Sequence, residues 1–421
     1  MTCDLLVVGG GAAGLMCAVT AARRGLRVRL LEKNGRCGRK LLITGKGRCN
    51  VTNQCDRDVF LQNVRVNARF LYSALSQFSP ADTMDFFERN GVPLKTERGR
   101  RVFPVSDRAA DIVDCLSRCA AQAGVQTVQG AAERLLLRGN AVQGVQTADG
   151  RTLTARAVVL ATGGASYPQT GSTGDGYRLA EQAGHSVVPP RASLVPVELA
   201  ERDLCAELQG LALRNVTLSV VDRTDGARAF SELGELLFTH FGVSGPLVLS
   251  ASAHLDCARH RLSIDCKPGL APEQLDARLQ RDFAASQNRA FRNALDALLP
   301  KRMIPAAVAR SGVDPDKRVH QITRAERQAL AAVLKDFSLT PTALRPMEEA
   351  VVTAGGVAVG EVDPKSMASR RCAGLYFAGE LLDVDAYTGG YNLQIAFSTG
   401  YAAGSHALAE AKPNRVSEEQ A

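Results

Sequence analysis

The chain reads as an α/β protein: a Rossmann-like nucleotide-binding domain that carries a small antiparallel meander and is interrupted by an inserted β-rich plus helical domain. Three observations predict this. A buried strand, Asp4-Leu5-Leu6-Val7-Val8, runs into Gly9-Gly10-Gly11-Ala12-Ala13-Gly14 and an apolar helical run. A second apolar strand, Leu26 to Leu31, ends at the acid Glu32, about 20 residues beyond the glycines. The alternating texture that begins near residue 190 gives way near 346 to the glycine-punctuated texture of the start.

The opening elements follow from what a dinucleotide pyrophosphate needs. In a G-x-G-x-x-G reading Gly9 allows the tight turn, Gly11 lets backbone approach the phosphates, and Gly14 lets the helix pack on the strand. Glu32 can accept bonds from a ribose 2′-hydroxyl and would repel a 2′-phosphate, which suits FAD or NAD and argues against NADP. Leu5 to Ala22 is an uncharged stretch of 18 residues, about the minimum for a membrane span. Its glycine cluster and the preceding Asp4 argue instead for a strand and a helix. No basic n-region or cleavage site precedes it, so a cytoplasmic protein without a membrane partner is expected.

After Glu32, residues 33–40 and 44–53 form a loop of glycine, cation and amide residues that can wrap phosphates with backbone amides. Ser106 to Ala123 has helical spacing with Ser106 as N-cap. Strands are expected at Arg134–Leu137, Ala141–Thr147 and Thr152–Thr154, with turns at Gly139-Asn140 and Asp149-Gly150. A buried strand, Ala157–Leu160, then ends in Ala161-Thr162-Gly163-Gly164. Leu194–Val221 and Ala229–Ile264 alternate like β structure, and Pro272–Phe337 reads as helices broken at Pro300, Pro305 and Pro315. The strand Leu375–Ala378, the Gly379-Glu380 loop and a helix containing Leu393 to Ala403 complete the nucleotide domain, and the last ten residues read as a frayed polar tail. The expected domains are thus 1–189 and 346–421 for nucleotide binding, with 190–271 as an inserted β-rich domain and 272–345 as an inserted helical one.

A length of 421 residues suggests two or three domains. Eleven cysteines, an odd number, read as reduced thiols rather than a disulfide framework. A net charge of +8 and a pI near 9.0 favour polyanionic partners. His254, Cys257, His260 and Cys266 match no usual zinc spacing, so no metal is expected, and Cys115 and Cys119, one helical turn apart, read as core.

Five strings, falling in order along nearly the whole chain, resemble the BaiN-like or aminoacetone-oxidase-family FAD-binding flavoproteins, with the layout of the glutathione reductase superfamily. They are Gly38-Arg39-Lys40-Leu41-Leu42, residues 47–53 (GRCNVTN), Gly99-Arg100-Arg101-Val102-Phe103-Pro104, residues 239–246 (THFGVSGP) and residues 389–394 (GGYNLQ). The resemblance implies that Gly9, Gly11, Ala13, Gly14, Arg39 and Lys40 face the FAD pyrophosphate, that Glu32 binds the adenosine ribose and that Ala132 meets adenine. Gly45 and Asn50 would approach the flavin, Glu380, Asn392 and Leu393 would hold its ribityl and ring, and Gly163 would be a further cofactor-binding residue. One departure is visible: Ala386 follows Asp383-Val384-Asp385 where the family usually has glycine, and Ala would be strained there if the site needs positive φ.

No second strand-glycine-helix unit is present, so NAD(P)H is expected to dock transiently as electron donor. The resemblance implies reduction of a conjugated carbon-carbon double bond: uracil in ribosomal RNA or its precursor, giving dihydrouridine, or a dehydro bile acid or steroid enone. An amine-type oxidase, or a non-catalytic flavin-bearing RNA-binding or redox-sensing protein, are the other readings. Proton-donor candidates are Cys49, whose pKa Lys46 and Arg48 would lower, His240 and Tyr391. Ten Lys or Arg against five acids between Arg281 and Leu330 favour RNA as the partner over a small enone.

Overall fold

A computed structural model of the protein describes residues 3–409, so the tail expected over the last ten residues lies outside the described residues. The chain forms two compact units. Residues up to Arg191 and from Val352 onward make one, and Ala192–Val351 make the other.

In the first unit β1, Cys3–Val8, lies parallel between β2, Val28–Glu32, and the strand Thr152–Leu160, with Leu5 opposite both Val28 and Ala157. Gln126–Gln129 extends the sheet beyond β2, and Leu375–Phe377 pairs parallel with Val158–Leu160. Strands covered on both faces read as continuous apolar runs, and Leu5, Leu6 and Val7 are fully buried. The uncharged stretch from Leu5 to Ala22 therefore divides into β1 and the helix α1, Ala12–Arg23. Among the described residues no helix is long and apolar enough to cross a membrane.

The two strands expected at Thr152–Thr154 and Ala157–Leu160 are one strand of nine residues. Its first half alternates between exposed and buried and pairs antiparallel with Ala141–Thr147; its second half is buried on both faces and joins the parallel sheet. Ala132–Arg138 completes the meander. The helix expected from Ser106 starts at Ala109 instead. Asp107 sits at φ 56°, outside the helical path, and the Ser106 hydroxyl accepts from the Arg108 N–H at 3.3 Å.

The second unit corrects the division of the insertion at 271/272. Leu218, Leu262 and Ile264 of its strands share one apolar core with Leu275, Leu279, Leu330 and Leu334 of its helices. Its seven strands run in the order 337–339, 260–265, 212–222, 228–238, 242–244, 197–199, 341–344. The first and last of these are separated in the chain by Thr340 alone, so the sheet curls until its edges approach. Two short helices, Arg202–Leu208 and Pro246–Ser252, stand where alternation suggested strands. Pro305, expected as a breaker, sits in the first turn of Ile304–Ser311, where its missing N–H has no intrahelical partner to lose.

Candidate cofactor site

The β1–α1 turn is built from backbone that tolerates no side chain at two points. A Cβ on Gly9, at φ +103°, would stand 2.5 Å from the Ala161 carbonyl oxygen, and one on Gly14 would stand 1.8 Å from the Gly9 oxygen. Gly11 differs: a Cβ there meets no protein atom within 4 Å. It opens onto the N-terminus of α1, whose first turn contains Ala13 and carries neither an acid nor a side-chain cap. Free N–H groups, a favourable dipole and an unobstructed approach suit a pyrophosphate.

Glu32 ties the turn in place. One carboxylate oxygen accepts from the Gly10 N–H at 2.7 Å, the other from the Asn34 N–H and side-chain amide at 2.8 and 2.7 Å. Each oxygen can accept more than one bond, so capacity remains for a ribose hydroxyl. The Gly130 N–H donates to the Glu32 carbonyl at 2.9 Å, which brings the turn leading to Ala132 beside the acid.

Two predicted residues that lie 340 positions apart meet: Lys40 Nζ stands 2.8 Å from Glu380 and 2.6 Å from Ser166 Oγ. Glu380 also accepts from the Ser166 hydroxyl and the Thr353 N–H, while Thr353 Oγ1 accepts the N–H groups of Ala165 and Ser166. Sequence reasoning missed Ser166 and Thr353; the signal available was a threonine inside an otherwise apolar strand. Arg39 is exposed and donates to Asn34 Oδ1 at 2.9 Å. Gly163, at φ +75°, lies over Ser172.

The loop at 44–50 is wound left-handed, with Gly45, Lys46, Gly47 and Cys49 at φ 57°, 59°, 84° and 60°. Cys49 is corrected as a lowered-pKa acid. Its side chain is wholly enclosed by protein, and burial pushes the thiol up to about 12. Arg48 does not offset this, because Glu97 and Asp107 bind its guanidinium. Asn50, by contrast, holds a buried Oδ1 with no hydrogen-bond partner, an acceptor facing the need for a donor.

Gly390, at φ +98°, passes so close to the Thr52 carbonyl that a Cβ would stand 2.3 Å from its oxygen. It caps the helix Tyr391–His406, whose first turn, including Leu393, again carries no acid and no side-chain cap. The Asn392 side-chain amide is engaged by its own loop: Oδ1 accepts from the Ala386 N–H at 3.0 Å, and Nδ2 donates to the Ala386 carbonyl at 2.7 Å. Ala386 is not among the residues with positive φ, so the expected strain is absent. The Arg65–Asp385 ion pair at 2.9 Å holds the same loop. Tyr391 is buried, its ring edge-on to Phe60 with centroids 5.2 Å apart. His240 is an exposed residue of the second unit, in the loop between Arg228–Phe238 and Gly242–Ser244, edge-on to Phe241.

The open approach at Gly11, the two bare helix N-termini, the acid at the end of β2 and the orphaned Asn50 acceptor are chemically suited to a dinucleotide such as FAD. With the family match that follows, these features place the chain among Rossmann-type FAD-binding oxidoreductases. The family model described as HI0933-like protein Rossmann domain matches residues 3–406, and the chain belongs to that family. It is 34% identical over 408 residues to a ribosomal RNA dihydrouridine synthase of Escherichia coli, covering 96% of this chain and 98% of that one. It is 31% identical to a 3-dehydro-bile acid delta(4,6)-reductase of Clostridium scindens, covering 94% and 97%. Among solved structures, 3-ketosteroid delta1-dehydrogenase from Sterolibacterium denitrificans shares the fold, with a TM-score of 0.54 at 15% identity over 96% of this chain and 99% of that one.

Proposed function

We propose that the protein is an FAD-dependent reductase of a conjugated carbon-carbon double bond, with uracil in ribosomal RNA as preferred substrate and NAD(P)H as hydride source. The observation that carries this is the 34% identity, across 96% of the chain, to a ribosomal RNA dihydrouridine synthase. The name of the bile-acid relative describes the same kind of change, hydrogen added to a conjugated double bond of a different molecule. One hydride and one proton add across the bond, and the nicotinamide is oxidised.

When bound, FAD supplies the two-electron transfer; the chain binds and orients. Glu32 and the α1 N-terminus anchor the nucleotide end, and the Lys40–Glu380–Ser166 cluster supports the middle. With Cys49 enclosed, the proton-donor role falls to His240 or Tyr391. Loss of a positioned acid costs roughly 10²- to 10⁴-fold, so His240→Gln and Tyr391→Phe are expected to separate them: one loses turnover on that scale and keeps FAD and its reduction by nicotinamide.

The decisive experiment is mass spectrometry of ribosomal RNA from a strain lacking the gene. A lost dihydrouridine, restored by the wild-type gene, supports the reading. Unchanged RNA, with enone reduction by the purified protein, gives the lead to the second reading, a small-molecule ene-reductase, which the 31% identity to the bile-acid enzyme favours.

A further inference from the structure

The basic segment within the insertion is a weak candidate for RNA contact. Residues 192–351 carry 20 Lys or Arg against 20 Asp or Glu, so the unit is neutral and the chain's excess of +8 lies elsewhere. Several cations of residues 281–330 are also committed: Arg292 pairs with Asp316, Lys317 with Glu326 and Arg327 with Asp276, while Arg302 and Arg318 hold backbone carbonyls.

The hairpin Leu94–Glu97/Arg101–Pro104 is different. Lys95 and Arg48 neutralise Glu97 and Asp107 beneath it. Arg98 and Arg100 at its turn are exposed, as is Lys46 in the neighbouring loop, and none of the three forms an ion pair among the described residues. Arg100 sits at φ 59°, a conformation that a glycine or asparagine would adopt more easily. The turn is also stapled to the cofactor site. The Asn53 amide donates to the Gly99 carbonyl at 3.1 Å and to the Gly389 carbonyl at 3.0 Å, and Gly389 leads directly into the bare N-terminus of the helix Tyr391–His406.

We propose that this hairpin turn, with Arg98 and Arg100 at its tip and Lys46 beside it, grips the phosphate backbone of the RNA whose base enters the flavin site. The proposal rests on the reading of RNA as substrate. Two guanidiniums on a short, rigid turn, one hydrogen-bonded amide away from the site, position a backbone without reading its sequence.

The test compares two charge reversals in the FAD-loaded protein: Arg98→Glu with Arg100→Glu, and Arg281→Glu with Lys301→Glu and Arg324→Glu. A short fluorescent oligouridylate is titrated across a salt series. For a single strand, every phosphate that no longer meets a protein cation flattens the plot of log affinity against log salt by about 0.7. The hairpin pair is therefore expected to reduce the slope by about 1.4 or more, two phosphates' worth, with the insertion variant unchanged. An Arg100→Asn variant, which keeps the turn conformation, should show about half the hairpin effect. FAD content and flavin reduction by NADPH should match wild type in all of them. An unaltered slope in the hairpin variants, or a loss confined to the insertion variant, overturns the assignment while the RNA reading stands. Absence of salt-dependent oligouridylate binding by wild type overturns it too. Ribosomal RNA that keeps its dihydrouridine in the deletion strain removes the reading beneath it.

Discussion

Cys49 illustrates how a side chain's neighbours in sequence misstate its chemistry. Lys46 and Arg48 flank it, yet the sulfur is enclosed and burial holds its proton at ordinary pH. Cys49→Ala is therefore expected to keep FAD and to change turnover by less than about tenfold, well short of the loss of a positioned acid, and iodoacetamide at pH 8 should leave Cys49 unmodified in the folded protein by peptide mass mapping. A hundredfold loss of turnover would return the proton-donor role to it. His185, which no sequence pattern singled out, is the opposite case. Its ring is buried, with Nε2 2.6 Å from Ser369 Oγ and Nδ1 3.3 Å from Glu361. Ser369 Oγ already accepts from the N–H groups of Arg371 and Cys372, so its own hydrogen is left for Nε2, which must be unprotonated. Burial, only partly offset by Glu361, lowers the His185 pKa below its ordinary 6.5. A lowered folded-state pKa contributes stability that is present above the unfolded pKa and lost as pH falls. Glu361, held at about 2, stays ionised throughout that window. The wild-type melting temperature is expected to drop between pH 7 and 5, and His185→Gln to flatten that segment of the profile; an equally steep profile in the variant would assign the dependence elsewhere.

At the scale of elements, the glycine turn separates two roles that one motif merges. Gly14 is needed by the fold, because a Cβ there would stand 1.8 Å from the Gly9 oxygen, whereas a Cβ on Gly11 meets only open space. Gly14→Ala is expected to lower the melting temperature of the apoprotein and its yield. Gly11→Val should leave apoprotein stability close to wild type and abolish FAD binding, read by the flavin absorbance of the purified protein; retention of FAD would mean that the pyrophosphate does not cross Gly11. These elements were legible because strand, glycines, helix and acid are contiguous and each obeys a local steric rule. The Lys40–Glu380–Ser166–Thr353 cluster was only half legible, since its members come from four distant segments and meet through tertiary contacts that no spacing encodes. The short helices Arg202–Leu208 and Pro246–Ser252 were hidden because seven residues fall just short of the two turns over which helical and strand periods diverge.

At the scale of the whole molecule, the sequence carried the interruption of one nucleotide-binding unit by another unit, and the net positive charge, but not where that charge resides. Composition is blind to pairing, and the insertion's basic run is balanced by acids elsewhere in the same unit. The two units have separate apolar cores, and apart from His240 every residue assigned to the cofactor or to proton transfer belongs to the first. A ligand that binds only the folded form of one unit stabilises that unit by mass action, about 2.7 kcal/mol at a hundredfold excess over Kd. Hydrogen exchange followed by mass spectrometry should therefore show FAD slowing the most protected amides of β1 and α1 by about 100-fold, the same energy read as a rate ratio. The strands Ala212–Asp222 and Arg228–Phe238 of the insertion should exchange at nearly the same rate with and without the cofactor. Equal slowing in both sets would mean that the cofactor stabilises the two cores as one cooperative unit, and that the insertion contributes to holding FAD.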